Sequence, residues 1–161
     1  MKDLYDNGDN TWLGASNIEG EWYIGYHGTK SINSIYEILN NGFKRGEGQD
    51  YKESKNINPL TYDTYNKCEE GVYFTPDINE AKRYTKIINY GGRQFKVVFM
   101  CRINPYKVRI ANSINNIEYW IVNGDTLDNL YGINKSDEVR PYRILIYNEE
   151  FNIIKSKNLK N

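Results

Sequence analysis

Residues 21–43 read EWYIGYHGTKSINSIYEILNNGF, a pattern that predicts one strand followed directly by one helix. The part EWYIGYHGT alternates large and small residues among β-formers, which predicts a strand over 22–27. A helix over Lys30–Asn41 is predicted next, with Ser31 as its N-cap and Gly42 just past its last turn. The apolar residues at helical spacing that indicate it are Ile32, Ile35, Tyr36 and Leu39.

A second strand and helix follow after a long polar stretch. Residues 44–70 show no sustained period and are longer than most structureless loops, which is typical of a functional lid or rim. The segment GVYFT at 71–75 predicts a short strand. The next helix is predicted to run to about Ile88, with Asp77 as N-cap and Glu80 three residues on, the capping-box spacing.

The second half of the chain is rich in strands. The most apolar run, FKVVFMCRI at 95–103, predicts a central strand, and further strands are predicted at 107–111, 118–122 and 142–147. A polar insert, 123–137, separates the last two. The order β-α-loop-β-α-β-β-β-β predicts an α+β fold with mostly antiparallel sheets. We expect residues 1–20 to form an N-terminal arm or loop and residues 21–161 to form a single domain.

The charge balance excludes functions that depend on a basic surface. Lys and Arg total 21 and Asp and Glu total 21, so the formal net charge is zero. Nucleic acid and anionic membranes call for a basic excess, so we expect neither as a partner. No run approaches the roughly 18 apolar residues of a membrane span. We expect a soluble protein, cytoplasmic or secreted without a cleavable signal peptide.

Few residues are available for reactive chemistry. The chain has one His, His27, and two Cys, Cys68 and Cys101, none of them at metal-ligand spacing, so we expect no metal. Neither a phosphate-binding loop nor a dinucleotide fingerprint is present. Taken alone, a single His is more often structural than catalytic. Tyrosine, by contrast, is abundant at 15 residues, against 5 Phe and 3 Trp.

Several short motifs in a fixed order carry a functional prediction. The segment Tyr26-His-Gly-Thr ends a strand, Gly71-Val-Tyr-Phe-Thr forms another, and Tyr84 lies eleven residues past Tyr73. Glu118-Tyr-Trp-Ile-Val and Val139-Arg-Pro-Tyr-Arg-Ile-Leu-Ile complete the set. In this order the chain resembles, over roughly residues 22–147, the catalytic domain of poly(ADP-ribose) polymerase-like ADP-ribosyltransferases, the diphtheria-toxin-like class with a His-Tyr-Glu triad.

The resemblance implies a fold of two packed, mostly antiparallel sheets flanked by a few helices, and a site that uses NAD as its substrate. Tyr73 and Tyr84 would sandwich the nicotinamide, and Gly28 would let backbone groups approach its carboxamide. His27 would bond the adenosine-ribose hydroxyl. The remaining implied site residues are Thr29, which would position the nucleotide, and Glu118, which would bond the nicotinamide-ribose 2′-hydroxyl.

The resemblance leaves several choices open. Ala81 stands where the family often has a Ser that bonds the carboxamide. Glu138, after the insert, is a rival to Glu118 for the catalytic acid. The implied activity is mono-ADP-ribosyl transfer to a protein by a monomer, and the resemblance permits ubiquitin or a host protein as the acceptor. The alternatives are an NAD glycohydrolase, an RNA 2′-phosphotransferase-like enzyme and a non-catalytic NAD- or ADP-ribose-binding module.

The acceptor would meet a rim of tyrosines. Interfaces are enriched in Tyr, and the long loop and the insert carry four of them. A loop tyrosine that simply packs on its own domain is an equally good interpretation for any one of these residues. They are Tyr51, Tyr62, Tyr65 and Tyr131.

Overall fold

The structure, a computed structural model, describes Leu13 and residues 20–43, 56–57, 64–65, 71–112, 118–122 and 138–149. Within these ranges lie two helices, α1 (Ile32–Asn41) and α2 (Ile78–Arg83). The strands there are β1 (Tyr23–Thr29), β2 (Asn56–Ile57), β3 (Thr64–Tyr65), β4 (Val72–Phe74), β5 (Ile88–Tyr90), β6 (Arg93–Ile103), β7 (Arg109–Asn112), β8 (Glu118–Val122) and β9 (Val139–Asn148).

The strands form two antiparallel sheets. In sheet I, β6 is central: β1 and β5 pair with it, and β9 pairs with it as well. Sheet II has the order β3-β2-β7-β8-β4. The structure therefore confirms the coarse prediction of an α+β fold with antiparallel sheets and few helices.

Alternate residues of β6 form the centre of the hydrophobic core. Val97, Phe99, Cys101 and Ile103 point to one face of the strand and are almost wholly buried. Phe99, Cys101 and Ile103 form one cluster with Phe74 and Trp120 of sheet II. Full burial of such side chains contributes about 1.5–3 kcal/mol each. The predicted central strand at 95–103 is confirmed.

Helix α1 has the two caps that the sequence predicts. The Ser31 side chain accepts a hydrogen bond from the backbone N–H of Ser34 at 3.1 Å. At the other end Gly42 takes φ +73°, and its N–H donates to the carbonyl of Ile38 at 3.1 Å. A left-handed backbone favours glycine, so Gly42 ends the helix there.

Helix α2 is shorter than predicted. It ends at Arg83, with Tyr84 as its C-cap, and Ile88 is the first residue of β5 rather than the last of the helix. The reason lies in the Gly91-Gly92 turn, where φ is +58° and +72°. Two consecutive positive φ values suit a two-residue hairpin turn, which pairs β5 with β6.

Two further segments differ from the predictions. The final strand begins at Val139 instead of Tyr142, because a register shift opposite Met100 and Cys101 accommodates Pro141. Within the stretch 44–70, predicted as a loop, β2 and β3 form a short ladder. The arm 1–20 apart from Leu13 and Gly20, the rest of 44–70 and the insert 123–137 lie outside the described residues.

Helix α2 packs on β1 at Gly28. A Cβ atom built there would lie 2.2 Å from the carbonyl oxygen of Ala81 and 3.0 Å from Cγ2 of Thr85. Glycine is therefore required for the helix to approach the strand this closely. Neither helix of the described ranges is long and apolar enough to cross a membrane.

Substituting Gly28 should destabilise the fold. In Gly28→Ala the new methyl group meets the backbone of α2, which cannot move aside as a flexible side chain can. We therefore expect the free energy of unfolding to fall by about 1–3 kcal/mol. Urea unfolding followed by circular dichroism measures it. Gly91→Asn is the matched control, because the site is open and Asn tolerates a left-handed backbone. Equal stability of Gly28→Ala and wild type would contradict the packing described.

Candidate functional site at the divergence of β1 and β4

Strands β1 and β4 touch at one point and then separate. Tyr26 and Thr75 exchange two backbone hydrogen bonds of 2.9 and 3.1 Å, the isolated bridge between these strands. A continued antiparallel ladder would pair Gly28 with Tyr73 next. Instead, the carbonyl of Tyr73 bonds to Nδ1 of His27 at 2.8 Å. A side chain thus holds the two strands where the ladder stops.

The peptide groups of Gly28 face the side on which β4 lies. Backbone groups in a strand alternate in direction, so the N–H and C=O of Gly28 point the same way as those of Tyr26. Those of Tyr26 point to Thr75 and away from β6. Gly28 therefore presents one donor and one acceptor at the divergence, the pair that a primary amide such as a carboxamide requires.

The imidazole of His27 is held in one tautomer. A carbonyl oxygen only accepts, so Nδ1 carries the proton and Nε2 of the neutral ring is an acceptor. The ring packs against Phe43 and Phe74, with centroid distances of 5.1 and 5.5 Å. Burial lowers the pKa of His27 below its ordinary value of 6.5. The bond to Tyr73 opposes this shift in pKa, and the charge of Lys30 adds to it.

The pairing register defines one face on which most of the site lies. Residues directly opposite in a ladder share a face, and so do residues two apart. Thr75 thus shares a face with Tyr26 and Tyr73. Tyr73 lies opposite Ile121 of β8, so Tyr119 belongs to the same face. We call this side of β1, β4 and β8, which also carries Gly28, the cleft face.

Tyr84 reaches the cleft face from the end of α2. Its hydroxyl lies 2.8 Å from that of Tyr119, and the two rings meet edge to face with centroids 6.2 Å apart. Because α2 packs on Gly28, this places Tyr84 on the helix that covers the divergence. Tyr73 and Tyr84 thus belong to the same side of the molecule, as a stacking pair requires.

The Tyr119 hydroxyl continues the chain of hydrogen bonds to Glu80. It donates to Oε1 of Glu80 at 3.0 Å, and Oε2 accepts from Arg83 at 3.0 Å. Glu80 is buried, at 7% exposure. Asp77 caps the helix through the N–H of Asn79, as predicted, whereas the Glu80 carboxylate, predicted at the capping-box spacing, bonds to Tyr119 and Arg83. No pattern in the sequence pairs Glu80 with Tyr119, 39 residues later, so both were missed.

Two predicted site residues are engaged elsewhere. Glu118, the first residue of β8, accepts a hydrogen bond from Nε1 of Trp120. It shares a face with Trp120, opposite to the cleft face. The side chain of His27, which lies between Tyr26 and Gly28 and packs on Phe74, is on that opposite face as well. Thr29 is buried, and its hydroxyl donates to the carbonyl of Ser31 at 3.3 Å.

The rival acid Glu138 lies at the far end of sheet I. Its carbonyl accepts from the N–H of Asn104, next to the residue pair Ile103 and Tyr23, whereas the divergence is at Gly28. Among the described residues, no group of three His, Cys, Asp or Glu side chains could hold a metal ion.

The sequence matches no family model and no curated protein, and the structure matches no solved structure. The function is therefore inferred from the residues and geometry of the site.

The lowered pKa of His27 should make the stability of the fold depend on pH. The pKa of His27 in the folded state lies below 6.5, its ordinary value. The neutral imidazole therefore contributes its full share to the free energy of unfolding above the unfolded-state pKa, and this share is lost as the pH falls through the folded-state pKa. Between those two values we expect a loss approaching 1.4 kcal/mol per pH unit, about the energy of one pKa unit.

Urea unfolding at pH 7, 6 and 5 tests this expectation against His27→Asn. The Asn side chain can still donate to the Tyr73 carbonyl but does not titrate, so its stability should fall less over the same interval. Parallel losses in the two proteins would show that His27 is not the group responsible.

Proposed function

We propose that this protein is an NAD-dependent mono-ADP-ribosyltransferase whose active site is the divergence of β1 and β4. The observation that carries the proposal is the placement of Gly28, Tyr73 and Tyr84 on one face, while the imidazole of His27, on the other face, joins the strands at the same point. These groups match the chemical parts of a nicotinamide nucleotide.

The nicotinamide half of NAD would bind on the cleft face. The N–H of Gly28 would donate to the carboxamide oxygen, and its C=O would accept from the carboxamide nitrogen. The rings of Tyr73 and Tyr84 would lie against the nicotinamide, where each aromatic pair contributes about 0.5–1.5 kcal/mol. Ala81 is buried against Gly28 and offers no hydroxyl, so the carboxamide would depend on the strand.

The adenosine ribose would bind beside His27. Because Nδ1 donates to Tyr73, Nε2 can accept a hydrogen bond from a ribose hydroxyl, and the lowered pKa keeps the ring neutral for this at pH 7. A charged imidazole would lose this acceptor. NAD binding should therefore weaken once His27 becomes protonated.

The reaction exchanges one bond at the ribose C1 atom. The C–N bond to nicotinamide breaks, and its electron pair neutralises the positive ring as nicotinamide leaves. A bond from an acceptor nucleophile to C1 replaces it, and the nucleophile loses one proton to solvent or a base. With a protein side chain as acceptor the product is a mono-ADP-ribosylated protein; with water it is free ADP-ribose, the NAD glycohydrolase alternative.

A protein is the favoured acceptor because the net charge of zero gives no attraction to nucleic acid. Ubiquitin or a host protein are acceptors that the family resemblance permits. The transfer of a single ADP-ribose by a monomer is part of the same proposal.

A non-catalytic NAD- or ADP-ribose-binding module is the second candidate. It is favoured by one observation, the engagement of the Glu118 carboxylate with Nε1 of Trp120. The resemblance makes Glu118 the acid that faces the developing ribosyl cation. A charge pair at about 4 Å is worth about 4 kcal/mol at an effective dielectric constant near 20. Loss of such an acid would slow the reaction about a thousandfold.

Labelled NAD separates these functions. Wild-type protein is incubated with NAD labelled in the adenosine part and a cell lysate, and both protein-bound label and nicotinamide release are measured. Label on a protein supports transfer, and free ADP-ribose alone supports hydrolysis. Binding without any nicotinamide release supports the module, and absence of binding overturns the proposal. Glu118→Gln should lower kcat about a thousandfold if Glu118 is the acid; an unchanged kcat contradicts that role.

Removal of the Tyr84 ring should weaken NAD binding. Stacking acts on bound substrate and transition state alike, so Tyr84→Ala should raise KM a few-fold to about tenfold with a smaller change in kcat. Tyr90→Ala is the matched control, because Tyr90 is 64% exposed on the β5 hairpin. A KM change of equal size in both variants would rule out a specific role for Tyr84.

A further inference from the structure

We propose that Glu80 gives this site its preference for a positively charged nicotinamide ring, acting through the hydroxyls of Tyr119 and Tyr84. The inference rests on the proposed function, because it concerns the ring that Tyr84 would contact. It assigns a positioning and specificity role to two residues, Glu80 and Tyr119, that the family resemblance does not use here.

The direction of the two hydrogen bonds follows from counting protons. An ionised carboxylate only accepts, so Tyr119 gives its single proton to Oε1 of Glu80. Tyr119 then has no proton left for the 2.8 Å bond to Tyr84, and Tyr84 must donate. The chain therefore runs from Tyr84 through Tyr119 to Glu80, and each hydroxyl is polarised toward the carboxylate.

This chain adds negative character to the ring of Tyr84. Both hydroxyl protons are drawn toward Glu80, so the Tyr84 oxygen and its ring become richer in electrons, and hydrogen bonds in such a series strengthen one another. A cation over an aromatic face is attracted by the ring quadrupole. The nicotinamide ring carries its positive charge in NAD but not in free nicotinamide or in the reduced cofactor.

Burial lets the negative charge of Glu80 act on the ring of Tyr84 through the intervening Tyr119. The Glu80 side chain is 9% exposed, so water screens it weakly, whereas its ion-pair partner Arg83 is 71% exposed. The exposed guanidinium donates to Oε2, while Oε1 accepts from Tyr119. One of the two carboxylate oxygens thus faces the tyrosines.

Glu118 lies on the other side of the strand and cannot enter this chain. It neighbours Tyr119 in sequence, but successive side chains of a strand point to opposite faces. Its carboxylate accepts from Trp120 instead. If Glu80 acts on the ring, Glu80→Gln should alter the recognition of charge and Glu118→Gln should not. If Glu118 acts instead, the reverse is expected.

A pair of small probes isolates the effect of the charge. The 1-methylnicotinamide cation and neutral nicotinamide share the ring and carboxamide, and they differ by a methyl group and one positive charge. Their dissociation constants are measured by calorimetry for wild type and for Glu80→Gln. The amide oxygen of the introduced Gln side chain can still accept from Tyr119, so the substitution removes the charge but keeps the hydrogen bond. We expect the cation to bind about three- to tenfold more weakly and nicotinamide to bind within about twofold of wild type.

Breaking the chain at its middle should have the same effect. Tyr119→Phe keeps the ring packing and leaves Glu80 charged but separated from Tyr84, so we expect the same selective loss for the cation. The double variant Glu80→Gln/Tyr119→Phe should bind the cation no more weakly than the single variant with the larger loss of affinity, because both substitutions interrupt the same chain of hydrogen bonds. Glu37→Gln, an exposed carboxylate on α1, is the control for a general change in charge.

The outcomes separate this inference from the proposed function. If wild type binds both probes but Glu80→Gln and Tyr119→Phe weaken them equally, the chain is merely structural and the inference is overturned. A selective loss in Glu118→Gln and not in Glu80→Gln would overturn it in favour of the other carboxylate. If wild type binds neither probe nor NAD, the proposed function itself fails.

Discussion

The bridge between Tyr26 and Thr75 is the constraint on which the rest of the site depends. It joins sheet I to sheet II through two backbone hydrogen bonds, and the strands then part instead of continuing the ladder. Parting leaves backbone groups without strand partners, which is costly inside a protein. The hydrogen bond from His27 to the Tyr73 carbonyl offsets part of this loss of backbone pairing. One side chain thus supports the strands and, under the proposed function, contacts the ligand.

Close packing around β1 depends on two of its glycines, Gly25 and Gly28. Gly28 allows the backbone of α2 to lie against the strand. On the other face a Cβ at Gly25 would meet Ile103, Phe74 and Trp120. The strand is therefore approached closely from both sides, and neither glycine position leaves room for a Cβ atom. His27 lies between these two contact points, with Tyr26 on one side and Gly28 on the other.

The high tyrosine content has a structural use at this site. Tyr84 and Tyr119 combine ring contacts with hydroxyl groups that reach a buried carboxylate, so a polar chain passes through a mostly aromatic region. Buried polar groups are tolerated when each finds a partner. In a chain with one His, the tyrosine hydroxyls thus supply the polar contacts of this region.

Local pattern alone determined much of the fold. The spacing in 32–41 with Ser31 and Gly42 at its ends specified α1, and the apolar run at 95–103 specified the central strand, since both depend on residues close in sequence. The length of α2 was not specified, because its apolar spacing continues to Ile88, where hairpin pairing with β6 prevails.

The partners of the site residues were decided only by tertiary structure. The sequence alone indicated His27, Gly28, Tyr73 and Tyr84 by motif. It could not show that Glu80 meets Tyr119 or that Glu118 turns toward Trp120. Which face a side chain occupies follows from strand register, and register is fixed by pairing between segments distant in sequence. A motif therefore names the residue types, and the packed sheets decide which of them meet.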